Sequence, residues 1–297
     1  MTSDTTSPQI IDLTASDGYP LQAMRYPAAE PCQGHLIVAG ATGVPQRFYR
    51  RFALFAARQA VEVWTLDYRG VGLSRPTTLR GFRMNYLDWA RQDLAALLDH
   101  VDALDHKPIW MVGHSYGGHA FGLLPGNARV QRFATFGTGA GWHGWMPPLE
   151  RLRVRLMWQL LGPLIVASRG YLAWSLLNMG EDLPRDVFFQ WRRWCQLPRY
   201  FFDDPEYAHL ADQFAQVRTP IRAINATDDK WAPPASRDAF MNAYTNAALE
   251  RVTIDPAASG MDRIGHLGYF RPEAMRLWQE TLEWCTVGAG DRPGPSP

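Results

Sequence analysis

Short apolar runs alternate with amphipathic segments through most of the chain. Before residue 137, the runs 35–39, 61–66 and 109–112 have the length of buried strands, and each ends at a turn signal. Between them, apolar residues recur at helical spacing, most clearly over 86–104. Strands that alternate with helices predict right-handed βαβ units and a mostly parallel central sheet flanked by helices. Ligands bind at the carboxyl ends of strands in such sheets, so we expect the chemistry in the loops that follow them.

The stretch 138–216 breaks this rhythm. It is helical in period and rich in tryptophan, with Trp142, Trp145, Trp158, Trp174, Trp191 and Trp194. The alternation of strands and helices resumes after it. We therefore predict an α/β core formed by residues 9–137 and 217–286, with 138–216 inserted as a helical cap. The proline-rich end, 287–297, is predicted to be a disordered tail.

Composition and charge exclude several classes of function. The formal net charge of +1 and the hydrophobic content of 46% are ordinary for a globular domain and give no reason to expect a nucleic acid partner. The three scattered cysteines predict neither a disulfide framework nor a metal site and favour a cytoplasmic protein. The longest apolar stretch, 156–167, is too short for a membrane span, and the first residues lack the features of a secretory signal. We expect a small-molecule substrate and no cofactor, and the oligomeric state stays open.

The segment Gly113-His114-Ser115-Tyr116-Gly117 has the pattern G-x-S-x-G between a predicted strand and a predicted helix. A reversal from strand to helix within a few residues forces the serine into a strained conformation and turns its hydroxyl outward. Glycine is required on both sides because the helix start and a neighbouring strand crowd there. The amide of Tyr116 begins a helix and is therefore a candidate oxyanion donor. Ser115 is the candidate nucleophile.

A serine hydroxyl needs a general base to become a nucleophile at neutral pH. Among eight histidines, His266 lies in the loop 260–268, after a late predicted strand and before the last helix. A base at this place can reach Ser115. Asp228 and Asp229 follow the run 221–225, and either carboxylate can orient the imidazole ring.

These residues together resemble the α/β-hydrolase superfamily, over about 9–286. The segment 67–74, DYRGVGLS, is similar to the DxRGxGxS segment of its esterases, lipases and serine peptidases, and Gly-His-Leu-Gly at 265–268 is similar to the terminal histidine loop. The segment 229–233, DKWAP, resembles the DxxVP acid loop, although Ala232 replaces valine. The resemblance implies the α/β-hydrolase fold and the chain order serine, acid, histidine, and it makes Asp229 the preferred acid and Asp228 the alternative.

A narrower resemblance rests on Tyr49, the ending Gly-His-Leu-Gly-Tyr-Phe and the tryptophan-rich stretch 191–195. It links the chain to a bacterial group of α/β-hydrolases, most of which have no assigned substrate. The superfamily resemblance also implies a second oxyanion donor in the loop after 35–39. We assign it to the backbone N–H of Ala41, with Thr42 beside it as a possible hydroxyl donor, although the usual histidine of this loop is missing.

The expected function is cleavage of a carboxylic ester with a small or hydrophobic acyl group, through an acyl-enzyme intermediate. Trp142 and Trp145 in the cap, with His114 beside the nucleophile, are candidate pocket residues. A thioesterase or a peptidase-like amidase would use the same triad, and a non-catalytic binding protein on this scaffold would be expected to lose one of its members. The amphipathic stretch 152–164 is a candidate for contact with a membrane surface, unless its arginines simply face water.

Overall fold

One sheet organises the chain, which is described here from a computed structural model covering residues 7–29, 31–177 and 180–287. Its strands are β1 (Gln9–Thr14), β2 (Pro20–Tyr26), β3 (Gly34–Ala39), β4 (Val61–Asp67), β5 (Ile109–His114), β6 (Val130–Phe136), β7 (Ile221–Ala226) and β8 (Leu249–Ile254). The spatial order is β1-β2-β4-β3-β5-β6-β7-β8. β2 pairs antiparallel with both β1 and β4, and every other neighbouring pair is parallel.

Helices connect the strands. The α-helices are α1 (Arg50–Ala57), α2 (Ala95–Asp102), α3 (Tyr116–Leu123), α4 (Pro148–Leu156), α5 (Gly162–Arg169), α6 (Arg185–Trp194), α7 (Leu210–Ala215), α8 (Pro234–Met241) and α9 (Met275–Thr286). Two π-helical segments, Trp89–Leu94 and Met157–Leu161, lead directly into α2 and α5. Short 3-10 turns lie at Gln46–Tyr49, Gly72–Ser74, Asn127–Arg129, His143–Trp145, Trp174–Leu177, Tyr200–Asp203, Gly268–Phe270 and Pro272–Ala274.

The middle of the sheet is covered on both faces. Every residue of β3, β4 and β5 is buried, whereas the edge strands β1 and β8 have no buried residue. One face packs against α1 and α9 through Phe52 and Trp278, and the other packs against α2, α3 and α8. Burial on both faces explains why the central strands read as continuous apolar runs instead of alternating patterns.

The strand order places a crevice at the carboxyl ends of β3 and β5. The chain passes from β3 to β4 on one side and then crosses to β5 on the other side of β3. The connections therefore leave the sheet in opposite directions at this point, which is where parallel sheets bind ligands. The loop 40–43 follows β3, and Ser115 follows β5.

The predicted fold class is confirmed: the sheet is mostly parallel and is flanked by helices. The predicted helix 86–104 differs in detail, because its first part, Trp89–Leu94, is π-helical. Of the predicted tail 287–297, only Val287 lies within the described residues. Among those residues, no helix is long and apolar enough to cross a bilayer. The same residues contain no cluster of three or more side chains suited to hold a metal ion.

Candidate active site

Ser115 lies between the last residue of β5 and the first residue of α3. Its backbone has φ of 51° and ψ of −106°, a combination that residues with a Cβ rarely adopt. The Ser115 amide donates a hydrogen bond of 2.9 Å to the Phe136 carbonyl at the end of β6. The strained turn is thus held by the sheet itself, as expected of a functional position.

The glycines on either side of Ser115 permit this turn. A Cβ at position 117 would lie 2.0 Å from the carbonyl oxygen of Ala39 in β3, and a Cβ at position 113 would lie 2.6 Å from the carbonyl carbon of Gly117. These contacts are with backbone atoms, which cannot rotate away. Larger side chains would therefore push the elbow away from β3, which agrees with the crowding that the sequence pattern predicted.

His266 reaches Ser115 from the loop between β8 and α9. Its Nε2 atom lies 3.0 Å from Ser115 Oγ. The carboxylate of Asp228 accepts hydrogen bonds of 3.0 Å from the backbone amides of Ile264 and Gly265, just before the histidine. Asp228 thus fixes the loop that carries His266 and does not contact the imidazole ring.

Asp229 lies against the other side of the imidazole. Its two carboxylate oxygens are 3.1 and 3.0 Å from His266 Nδ1. The same carboxylate accepts hydrogen bonds from the amides of Trp231 and Ala232, each at 3.0 Å, and from the hydroxyl of Tyr269 at 3.1 Å. The geometry therefore joins Asp229, His266 and Ser115 in one line of hydrogen bonds.

The charge state of Asp229 follows from its surroundings. Complete burial disfavours the carboxylate, but the attraction and hydrogen bonding of His266, with the amides of Ala232 and Trp231, outweigh this and hold the pKa of Asp229 below its ordinary value. An ionised Asp229 accepts the Nδ1–H of His266. The Nε2 atom is then left without a proton and can accept one from Ser115.

Tyr269 was not assigned a role from the sequence. It is fully buried, accepts the amide of Ala226 at 2.8 Å and donates to Asp229, so it ties the end of β7 to the acid. The only signal for it in the sequence was its place three residues after His266 within the ending that resembles other α/β-hydrolases.

His114 does not line the cavity beside Ser115, contrary to its prediction as a pocket residue. It is fully buried, because residues of β5 alternate sides and its ring turns behind the elbow. Its Nε2–H donates to the carbonyl of His266 at 2.8 Å, and its Nδ1 accepts from the hydroxyl of Tyr49 at 2.9 Å. Burial, followed by the nearby His266, lowers the pKa of His114 to about 3, so the ring is neutral.

The predicted oxyanion donors differ in whether their N–H or O–H group already has a hydrogen-bond partner. Tyr116 is the first residue of α3, where a helix leaves amides without an intrahelical acceptor. The amide of Ala41 is already used, since it donates to the hydroxyl of Tyr49 at 2.8 Å. Ala41 itself lines the cavity, so its predicted role as an oxyanion donor requires that the amide leave Tyr49. Thr42 lies on the cavity wall, and its hydroxyl contacts the hydroxyl of Tyr86.

A cavity of about 200 Å³ opens beside Ser115 and His266, and most of its wall is apolar. The segment 138–216 supplies Trp174, Trp191 and Tyr200 to this wall, and Trp231 completes it from the loop after β7. Trp142 and Trp145 were predicted here and are not among the lining residues. They pack edge to face on each other, and the indole N–H of Trp145 donates to the Pro198 carbonyl.

His119 is another buried histidine and, unlike His114, it lines the cavity. Its Nε2–H donates to the Gly139 carbonyl at 2.8 Å, and its ring stacks on Tyr200 with centroids 4.5 Å apart. Burial lowers the pKa of His119 to about 4, so the side chain is neutral near pH 7. His119 therefore adds an aromatic surface to the cavity and no charge.

Comparison with protein families assigns the chain by sequence. The model of the alpha/beta hydrolase family matches residues 36–276, which include Ser115, Asp229 and His266. The chain belongs to the alpha/beta hydrolase family. None of the curated proteins compared with this family member is significantly similar to it in sequence.

Solved structures of a lipase and of two esterases have a similar fold. A soluble variant of monoglyceride lipase from Saccharomyces cerevisiae, in complex with a substrate analogue, is 14% identical with a TM-score of 0.67, and the match covers 98% of each chain. The esterase domain of a Rhodothermus marinus protein is 15% identical with a TM-score of 0.59, covering 96% of this chain and 100% of that one. A Pyrococcus furiosus esterase is 13% identical with a TM-score of 0.59, covering 96% and 94%. At these identities the likeness concerns the fold alone.

Proposed function

We propose that this protein is a serine hydrolase that cleaves carboxylic esters with an apolar acyl group. One observation carries the proposal: Ser115 Oγ lies 3.0 Å from His266 Nε2, and His266 Nδ1 lies 3.0 Å from the buried carboxylate of Asp229. A nucleophile, a base and an orienting acid within hydrogen-bond reach are the arrangement that activates a serine.

The reaction would proceed in two stages. Ser115 Oγ attacks the carbonyl carbon of the ester while His266 Nε2 takes its proton, and Asp229 stabilises the imidazolium that forms. Collapse of the tetrahedral intermediate breaks the bond to the alcohol oxygen, which leaves with the proton from His266. A water molecule then loses a proton to His266 and attacks the acyl carbon. The bond between the acyl carbon and Ser115 Oγ breaks, Oγ takes the proton back from His266, and the acid is released.

The negative oxygen of the intermediate needs donors close to Ser115. The amide of Tyr116 meets this need, because it combines a free N–H with the positive end of α3. The single proton of the Ala41 amide is engaged by Tyr49, whereas the Thr42 hydroxyl on the cavity wall can accept from Tyr86 and still donate its own proton, so we assign the second contribution to Thr42. Tyr49 then acts as a brace that holds the loop 40–43 at its distance from the elbow.

The wall of the cavity supports an apolar acyl group. Trp174, Trp191 and Trp231 present indole surface near the nucleophile, and the only histidine of the wall besides His266 among the described residues is neutral. We propose that the segment 138–216 acts as a cap, because three of its side chains close this cavity over Ser115. A cavity of about 200 Å³ fits a short or medium acyl chain better than a long one.

A fluorophosphonate probe tests the triad directly, since it labels only an activated serine. We expect the wild type to be labelled, and the variants Ser115→Ala and His266→Ala to remain unlabelled while keeping their circular dichroism spectra. The rates for p-nitrophenyl esters of increasing acyl length then measure the size of the pocket. Thioesters and anilides with the same acyl groups measure the preference for an oxygen leaving group over sulfur or nitrogen. A folded wild type that resists labelling would refute the proposal.

A further inference from the structure

The helical run 148–169 is apolar on two opposite sides. Its inner side is buried through Val154, Trp158 and Val166. Its outer side carries six leucines that are between 42% and 66% exposed: Leu149, Leu152, Leu156, Leu160, Leu161 and Leu164. We call these six residues the leucine stripe. Because most of them recur every three or four residues, they lie on one face of the helix.

A stripe of this kind is unusual on a protein surface. The outward face of a surface helix is normally polar, and exposed apolar residues are normally scattered singly. Here they continue from Leu149 to Leu164, which is about 22 Å along a helix. On this face the sequence places leucine where a solvent-exposed helix normally has polar residues, so the face is suited to an apolar environment.

Positive charge accompanies the stripe. The run 148–169 contains Arg151, Arg153, Arg155 and Arg169 against Glu150 alone, which leaves a formal charge of +3 from four cations and one anion. Arg153 is 64% exposed and pairs only loosely with Glu150 at 3.6 Å. A helix with an apolar face and arginines beside it has the composition of elements that lie in the interface of an anionic bilayer.

A cationic groove of about 350 Å³ continues from Arg153 to the active site. Lys230, Arg263 and Arg271 line it, and within the described part of the chain none of these three pairs with a carboxylate. Asp228 and Glu150 also line the groove, so four cations face two carboxylates. The oxygens of Asp228 are occupied by the amides of Ile264 and Gly265, and Glu150 lies 3.6 Å from Arg153.

The groove and the acyl cavity share a wall. Trp231, His266 and Leu267 line both of them. Phosphate groups held at the groove would therefore lie beside the proposed base, His266.

We propose that the leucine stripe and the cationic groove together form a binding face for the surface of an anionic phospholipid membrane. The leucines enter the acyl boundary, and Arg153, Lys230, Arg263 and Arg271 contact lipid phosphates. The delivery of lipid esters to Ser115 rests on the proposed function, whereas membrane binding does not. A second copy of this chain fits the face less well, because a two-fold contact would bring the arginines of both copies together.

Cosedimentation with vesicles tests the binding face. We would use the Ser115→Ala protein, so that the lipid stays intact, with vesicles of phosphatidylcholine alone or mixed with phosphatidylglycerol. We expect strong binding to the mixed vesicles, weak binding to phosphatidylcholine alone, and a loss of binding as the salt concentration rises. Equal binding to both vesicles, or binding to neither, would overturn the proposal.

Two pairs of matched variants locate the surface. Leu152→Ser with Leu160→Ser should lower the partition coefficient about tenfold, because less apolar surface enters the lipid. As a control, Ile10→Ser with Leu104→Ser removes side chains that are 58% and 46% exposed elsewhere on the surface, and this pair should leave the partition coefficient unchanged.

The arginines are tested in the same way. Arg153→Glu with Arg263→Glu should abolish the preference for anionic vesicles. The control pair Arg51→Glu with Arg58→Glu, both exposed in or beside α1, should keep that preference.

Light scattering of the same proteins tests the alternative explanation, which is that the leucine stripe forms a contact between two copies of the chain. A wild type that forms dimers, and a Leu152→Ser with Leu160→Ser variant that dissociates them, would assign the stripe to contact between copies and would refute the membrane face. A monomer in every variant, together with the expected loss of vesicle binding, supports it. Failure of probe labelling in the wild type, with intact vesicle binding by the Ser115→Ala protein, would count against the proposed function alone.

Discussion

The triad loops and the segment 138–216 enclose the same cavity, but they differ in how their buried polar atoms are hydrogen-bonded. The carboxylate of Asp229 accepts hydrogen bonds from two amides, a tyrosine hydroxyl and an imidazole. In the segment 138–216, the buried indole N–H groups of Trp158, Trp174 and Trp194 have no hydrogen-bond partner among the described residues. The triad loops are thus held by directional contacts, whereas these three indoles are held by aromatic packing.

Under the proposed function, this difference predicts which part of the site affects the rate and which affects the choice of substrate. Electrostatic catalysis requires groups fixed in direction before the reaction begins, and hydrogen bonds supply that direction. Aromatic packing fixes shape with less directional demand, so its residues can change with smaller consequences for the chemistry. We expect changes in the triad loops to lower the rate and changes in the segment 138–216 to alter the preference.

The largest effect is expected for the nucleophile itself. Ser115→Ala should lower kcat/KM for a p-nitrophenyl ester by at least about 10⁴-fold, because no covalent intermediate can form. The melting temperature should change little, since the change removes one hydrogen bond, to His266, from a partly exposed side chain. Steady-state kinetics and calorimetry on the same preparation check both statements, and an activity close to the wild type would remove Ser115 from the mechanism.

The two adjacent aspartates give the next largest effect and the sharpest contrast. Asp229→Asn should lower kcat by about 10³-fold to 10⁴-fold, because an amide favours the wrong tautomer of His266. Asp228→Asn should cost less than about tenfold in kcat but about 1–3 kcal/mol in stability, since it contacts only loop amides. A greater loss of kcat in Asp228→Asn would move the acid to that residue.

The buried neutral His114 links stability to pH. Its pKa of about 3 lies below the ordinary value of 6.5, so below pH 6.5 the unfolded chain takes up a proton that the folded chain refuses. Stability therefore falls as the pH falls, by about 2 kcal/mol from this residue between pH 6.5 and pH 5. The decline from this group continues to about pH 3.

His114→Gln isolates this contribution, because glutamine keeps a donor for the His266 carbonyl but does not titrate. Urea unfolding at several pH values should give a shallower decline for the variant than for the wild type. His119, whose pKa is lowered in the same direction, remains in both proteins and contributes equally to each. Parallel curves for the two proteins would show that His114 is protonated at the same pH in both states.

The smallest effect is expected in the segment 138–216. Trp191→Ala enlarges the cavity and should raise the ratio of kcat/KM for long acyl chains to that for short chains by about tenfold, since each methylene in an apolar pocket has an effect of this order. Trp145→Ala is the matched control, because Trp145 belongs to the same segment and does not line the cavity. A preference unchanged in Trp191→Ala would place the acyl group elsewhere.

The periodicity and the motifs by themselves determined much of this protein. Apolar runs that alternate with helical patterns indicated the parallel sheet, because continuous burial and period-3.6 burial are both written locally in the chain. The G-x-S-x-G segment located Ser115 at an elbow, since only glycine tolerates backbone contacts as close as 2.0 Å on its Cβ side. The loop after the last strand singled out His266, because parallel strands bring their carboxyl ends to one edge.

Contacts between distant residues were decided only by the tertiary structure. Asp228 and Asp229 are neighbours in sequence, and which of them meets His266 depends on how two loops 37 residues apart pack against each other. In the same way, Tyr49 engages the amide of Ala41, and Trp174 and Trp191 replace Trp142 and Trp145 on the cavity wall. Local patterns record which side chains are apolar or strained, but hydrogen-bond partners and cavity walls arise from segments that meet only after folding.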